Sequence, residues 1–206
     1  MILTKESDIG SHIKKEPLCR VYYIYGEEAY LKDLCVRRLL RRAVTKGQEA
    51  FNFHRFSGKG LSMDALEQAV TTLPFLSEKN CVLVEDVELD KLAKPDMDRL
   101  KAILSDLPPD TVLIFSMMNV EGGPKKSAKH KTIVDLAAKN GCVCCFEKRK
   151  SGDLARFVRE RVQSRGCEIS PQNAALLVER VGEDMTTLAT EVRKLTAYQQ
   201  KGEITR

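Results

Sequence analysis

Five short β-prone runs, at residues 20–25, 51–56, 81–87, 112–116 and 142–146, alternate with stretches whose apolar residues recur at helical spacing. Strands alternating with helices predict a parallel sheet joined by crossover helices. Two of the runs, Cys81-Val82-Leu83-Val84 and Val112-Leu113-Ile114-Phe115, are apolar at every position. A strand reads that way when helices cover both faces of its sheet, so these two are predicted to be central. The helical pattern is clearest over residues 27–46. There Leu31, Leu34, Cys35 and Leu39 form one stripe, and Arg37, Arg38, Arg41 and Arg42 a solvated remainder. Further crossover helices are predicted over residues 61–70, 95–104 and 132–139. Loop signals fall where the elements need them, at Gly58-Lys59-Gly60, Pro108-Pro109 and Gly122-Gly123-Pro124.

The period changes after Phe146. Residues 147–152 are a charged connector, and everything beyond reads as helix. A first helix is predicted over residues 153–164. Ser170 is an N-cap followed by Pro171 at the first helical position, and Gly182 ends that second helix. Asp184 caps a third, with Leu188, Val192 and Leu195 on one face. Three helices in roughly fifty residues bury too little for a strong core of their own, so they are predicted to pack on the sheet domain as a lid. Residues 1–19 read as an N-terminal tail. The chain thus divides into a tail (1–19), an α/β domain (20–147) and a helical unit (148–206).

A net charge of +5 over 206 residues is compatible with work near nucleic acid without establishing it. No apolar run reaches the length of a membrane span, and the first residues lack the apolar core of a signal peptide, so a cytoplasmic location is expected. Most of the seven cysteines lie in apolar stretches, where cysteine serves as a small hydrophobe. Cys142-Val143-Cys144-Cys145 lacks C-x-x-C spacing and a nearby His pair, and strand alternation sends Cys144 and Cys145 to opposite faces. It is read as core, and no metal is expected.

Candidate chemistry begins where the first long strand ends. Gly26, Glu27 and Glu28 occupy the place at which an α/β nucleotide-binding domain carries its phosphate loop. That loop needs G-x-x-x-x-G-K-[ST], and here Leu31 stands where the second glycine belongs, followed by Lys32 and the anionic Asp33. Two glutamates at a helix N-terminus also compete with a phosphate for the positive end of the dipole. Glu85 and Asp86 resemble the strand-end acids that hold Mg²⁺, but lack a working phosphate loop as partner. His12, His54 and His130 have no Ser, Cys or Asp arrangement beside them, and no catalytic residue is assigned. Lys125, Lys126, Lys129 and Lys131 form the densest basic stretch, read first as a solvated loop and otherwise as a DNA or partner contact. Leu73, Pro74, Phe75 and Leu76 are unusually apolar for a loop. The pattern leaves two readings open, a plug onto the sheet, which it favours, or an exposed wedge for a partner's pocket.

Taken in order, Tyr25-Gly26-Glu27-Glu28-x-x-Leu31, Thr72-Leu73-Pro74-Phe75-x-Ser77-Glu78, Val82-Leu83-Val84, Thr111-x-Leu113-Ile114-Phe115 and Gly182-x-Asp184 with Leu188, Glu191, Val192, Lys194 and Leu195 resemble the delta subunit of the bacterial DNA polymerase III clamp loader. No single motif is specific, but the ordered set runs through nearly the whole chain. The resemblance implies an α/β, AAA+/RecA-like five-stranded parallel sheet with flanking helices and a small three-helix lid. A third, helical collar domain would begin where this chain stops. It implies a non-catalytic subunit of the replicative polymerase holoenzyme, a nucleotidyltransferase complex, that needs no cofactor and does not hydrolyse ATP. Its partners would be the sliding clamp (the beta subunit), the other loader subunits, reached mainly through the collar, and primed DNA indirectly. In the family the apolar tip enters a hydrophobic pocket of the clamp. That role falls here to Phe75, with Leu73, Pro74 and Leu76 beside it. Where ATP-using relatives carry an arginine after the lid's glycine, this chain has Met185, which cannot contact a phosphate. The alternative is a P-loop-like NTPase or nucleotide kinase with a degenerate phosphate loop, motivated by the α/β alternation and Glu85-Asp86.

Overall fold

The apolar runs pair side by side into one parallel sheet, as the computed structural model, which describes residues 1–205, makes explicit. In chain order its elements are β1 (Ile2–Leu3), α1 (Glu6–Lys15), β2 (Val21–Gly26), α2 (Ala29–Ala43), α3 (Glu49–Asn52), β3 (Phe53–Ser57), α4 (Met63–Thr71) and β4 (Asn80–Glu85). There follow a 3-10 turn (Leu89–Lys91), α5 (Lys94–Ser105), β5 (Thr111–Ser116), α6 (Ala128–Asn140) and β6 (Cys142–Phe146). These belong to a first unit, Met1–Glu147. Strand order is β1-β6-β2-β5-β4-β3, and every pairing is parallel. Every residue of β5 is buried, as are the first four of β2 and the first five of β4. The two continuously apolar runs are therefore central, with helices on both faces.

The sheet has six strands rather than five, because residues 1–19 are not a tail. β1 pairs with β6 through Ile2 opposite Val143 and Leu3 opposite Cys144. Ile9, His12 and Ile13 of α1 are buried. The pattern hid both elements: two residues are too few to alternate, and α1 carries only two aliphatic anchors. Polar contacts complete the seat. His12 Nε2 lies 2.9 Å from the Tyr22 hydroxyl, Arg38 pairs with Glu6 at 3.4 Å, and Arg42 donates to the Ile13 carbonyl. Arg38 and Arg42, read as solvated, thus tether α1, while Arg37 pairs with Asp33 on its own helix at 2.6 Å.

The chain passes from β2 to the β3 edge, returns through β4 and β5, and then crosses beyond β2 to reach β6. Strand order reverses beside β2, so a crevice opens there at the carboxyl ends of the strands, where ligands bind in such sheets. α6 starts earlier than predicted because the Ser127 hydroxyl accepts from the His130 N–H at 3.4 Å. Lys129 and Lys131 are therefore in its first turns, not in a loop.

The second unit, Lys148–Arg206, holds α7 (Ser151–Gln163), β7 (Cys167–Ile169), α8 (Pro171–Val181), α9 (Met185–Gln199) and β8 (Gly202–Ile204). The three helices are as the pattern predicts. The parallel β7–β8 pair was not visible, its strands being too short to show a period. Leu154, Phe157, Val158, Val178, Leu188 and Val192 are buried. Ser170 accepts from the Asn173 N–H at 3.2 Å, and Gly182, at φ 95°, closes α8 in a conformation that favours glycine.

Asp184 caps α9, accepting from the Thr187 hydroxyl and N–H, each at 2.7 Å. These bonds hold its carboxyl below the ordinary aspartate range. Asp184→Ala is expected to cost about 1 kcal/mol in urea unfolding at neutral pH. A depressed carboxyl stabilises fully above its unfolded pKa and loses that contribution as pH falls through its folded value. The gap between wild type and variant should therefore close in acid, while Asp184→Asn, which keeps an acceptor, should show a smaller loss at neutral pH.

Candidate functional site

The crevice beside β2 is a cavity of about 520 Å³ lined by Tyr25, Gly26, Glu27, Lys32, Cys145 and the loop 118–125, among others. Lys32 and the main chain around Gly26 are engaged inward. Gly26 sits at φ 120°, and a Cβ there would collide with the Phe146 main chain, so the glycine permits close strand approach. The Glu28 N–H donates to the Phe146 carbonyl at 3.0 Å. Glu28 takes the N-cap position of α2 without a side-chain cap bond. Lys32 is buried, and its Nζ donates to the Met117 and Met118 carbonyls at 2.7 and 3.1 Å. Burial pushes the amine below its ordinary value, against the opposing pull of Asp86 and Glu28.

The strand-end acids are likewise occupied. Glu85 receives Arg55 in a two-point ion pair, at 2.5 and 2.9 Å. Asp86, at φ 56°, accepts from the Asn119 N–H and side chain, both at 2.7 Å, and from the Val120 N–H at 3.3 Å. It ties down the loop after β5. Among the described residues no group of three or more His, Cys, Asp or Glu is placed to hold a metal ion. Cys142 and Cys144 share a face of β6 with sulfurs 3.9 Å apart, both buried, while Cys145 faces the cavity. Met185 is buried.

The basic stretch is dispersed. Lys126 pairs with Glu121 at 3.4 Å, and Lys129 donates to the Asp90 and Leu92 carbonyls at 3.0 and 2.8 Å, bracing the 3-10 turn. Lys125 lines the cavity, and Lys131 lies exposed on α6.

The apolar tip is at the opposite edge of the same unit. α4 ends at Thr71 and the tip leads into Asn80, the first residue of β4, so it lies at the amino-terminal edge of the sheet. Leu73, Phe75 and Leu76 are 79%, 56% and 75% exposed, with Pro74 half-buried. Side chains that exposed plug nothing, and the core reading favoured by the pattern does not describe them. The base of the tip is fixed: Asn80 Nδ2 donates to the Ala69 carbonyl at 2.7 Å and the Thr111 hydroxyl to that of Val70 at 2.8 Å.

Two neighbours of the tip escape sequence reasoning. Residues 51–56 read as strand, but Phe51 and Asn52 end the short helix α3. Phe51 is 59% exposed, and its ring centroid lies 5.3 Å from that of Phe75 at 54°. Asn52 is fully buried; its Nδ2 donates to the Phe75 carbonyl at 2.8 Å and its Oδ1 accepts from the Phe75 N–H at 2.6 Å. The available signal was Asn52 itself, a residue depleted in strands, standing between Phe51 and Phe53.

Residues 22–147, more than half of the chain, match the family described as DNA polymerase III, delta subunit. DNA polymerase III subunit delta of Bacillus subtilis (strain 168) is 22% identical over 201 residues, covering 93% of this chain and 55% of that protein. The chain thus spans about half the length of this curated relative. Among solved structures, the Bacillus subtilis DNA clamp loader delta protein is similar with a TM-score of 0.76 at 21% identity, over 97% of this chain and 60% of that one. A DNA polymerase III gamma subunit-related protein of Thermotoga maritima gives 0.53 at 14% identity, over 92% and 57%. RuvB of Thermotoga maritima gives 0.50 at 15% identity, over 97% and 64%. These likenesses establish an AAA+-like fold. With the family match over the sheet domain, they lead to one conclusion: the chain belongs to the DNA polymerase III delta subunit family.

Proposed function

We propose that this chain is the clamp-docking part of a clamp-loader delta subunit, which binds the sliding clamp through its apolar tip and favours the open ring without using ATP itself. The observation that carries the reading is the exposure of Leu73, Phe75 and Leu76 on an anchored loop. Water-exposed clusters of large apolar side chains are unfavourable in a free protein and mark surfaces that a partner covers. Burying Leu or Phe is worth roughly 1.5–3 kcal/mol each, and association removes several kcal/mol of that in lost freedom. The tip therefore supports a specific but modest contact. A contact that fits the strained, open clamp better than the closed one shifts the ring by that difference in affinity and needs no fuel.

The cavity beside β2 accords with an ATP-free role. The lysine and acids that would meet a phosphate and its metal bind main-chain groups and an arginine of the same unit. The remaining loader subunits, primed DNA and a cytoplasmic setting belong to the same proposal. No helix among the described residues is long and apolar enough to cross a membrane.

In a binding assay with the organism's purified sliding clamp, Leu73→Ala combined with Phe75→Ala is expected to weaken binding at least about a hundredfold with the melting temperature unchanged. Unchanged affinity would remove the reading. Lys32→Ala should lower stability by about 1–3 kcal/mol in urea unfolding, because it strands two carbonyls. Calorimetric titration with Mg-ATP should show no micromolar site; one that Lys32→Ala abolishes without loss of stability would instead support the NTPase reading.

A further inference from the structure

We infer that the docking surface continues into α3, where Asn52 is a positioning residue for the tip and Phe51 a further contact residue beside Phe75. The partner in this inference, a clamp pocket able to take two aromatic rings and a leucine, rests on the docking reading above. The positioning itself does not.

A loop that displays apolar side chains to water has every reason to collapse or wander, and ordering it on binding would cost affinity. Here one buried amide takes both main-chain polar groups of Phe75, acting as a one-residue strand partner. Asn52 Nδ2 also donates to the Gln48 carbonyl at 3.2 Å, which ties the amide to its own helix. With its main chain turned toward Asn52, Phe75 directs its ring to solvent. Leu76 follows at φ 52°, a left-handed conformation that is uncommon for leucine and strained. It persists because both flanks are held. Phe75 is held by Asn52 on one side. On the other, the Ser77 hydroxyl meets that of Thr45 at 2.9 Å and donates to the Lys79 carbonyl at 3.2 Å. Strain of this kind, maintained by its surroundings, presents Leu76 outward instead of letting it fold back.

Phe51 precedes Asn52 in the chain, so the residue that fixes Phe75 also fixes its aromatic neighbour. The two rings are tilted against each other at 54°, and each is more than half exposed. Paired aromatics on a rigid base are the usual composition of an interface hot spot. Besides its bond to its own helix, Asn52 directs both ends of its amide to the residue at the centre of the exposed tip.

The test compares the isotope-labelled 206-residue chain with Asn52→Ala, Asn52→Asp, Phe51→Ala and the Leu73→Ala, Phe75→Ala double variant. Its readouts are amide hydrogen exchange at Phe75 by NMR and affinity for the sliding clamp by surface plasmon resonance. Asn52→Ala should speed exchange at Phe75 about tenfold while the β2 and β5 amides keep their protection, and should weaken clamp binding about tenfold. Asn52→Asp, which keeps the acceptor for the Phe75 N–H, should retain most of that protection. Phe51→Ala, on an exposed side chain, should leave the fold intact and weaken binding several-fold. If Asn52→Ala does not fold, Asn52→Asp, which loses the donor to the Phe75 carbonyl and should show a partial loss of protection at Phe75, decides the positioning role, and Phe51→Ala decides the contact. Unchanged exchange at Phe75 would overturn the positioning role. Full affinity in Asn52→Ala and Phe51→Ala, with loss in the double variant, would overturn the inference and leave the docking reading standing. Full affinity in the double variant would overturn the docking reading and Phe51 as a contact with it.

Discussion

A parallel strand can sit at the centre of a sheet only when both of its faces are shielded from water, and the first unit follows from that requirement. β2, β4 and β5 meet it with continuous apolar sequence. Every connection between them must then be a crossover that lays a helix on one face or the other. Crossovers sort the loops into two sets. Those leaving the strands gather at the carboxyl edge, around the cavity that begins at Gly26. Those entering the strands gather at the amino edge, where the tip leads into Asn80 and α3 leads into β3. The cavity and the tip are thus separate surfaces of one scaffold.

At the carboxyl edge the polar groups beside the cavity serve the fold. Lys32 satisfies two carbonyls at the end of β5, and Asp86 satisfies the N–H groups of the loop that follows. A charged amine and a carboxylate beside the cavity are thus satisfied by groups of the same unit. The amino edge shows the converse. Its apolar residues, which could have joined the core, are held out of it by the Asn52 bracket and by a left-handed Leu76.

Much of this was legible from the chain alone. Periodicity reveals long elements, so all five long strands and the crossover helices lie within a few residues of their predicted places. It could not reveal β1, β7 or β8, where two or three residues leave no period to read. Nor could it reveal α1, whose seat depends on Arg38, Arg42 and His12 more than on apolar spacing. At the site, Leu31 and the anionic Asp33 were readable as departures from the phosphate-loop pattern. Where Lys32 points was not, because its partners are carbonyls distant in sequence. The tip was visible as an oddly apolar loop, but burial is a property of the folded neighbourhood, and pattern alone favoured the wrong side of that choice. Asn52 was hidden because its role is defined by a hydrogen-bond partner 23 residues away.

Amide chemical-shift mapping of the labelled chain on addition of unlabelled sliding clamp, first without and then with Mg-ATP, tests the central claim most directly. The account predicts perturbations centred on Phe51, Asn52 and residues 73–77, no change at Gly26, Lys32 or Met118, and the same pattern in both conditions. Perturbations centred on the Gly26 cavity, or binding that appears only when ATP is present, would contradict it.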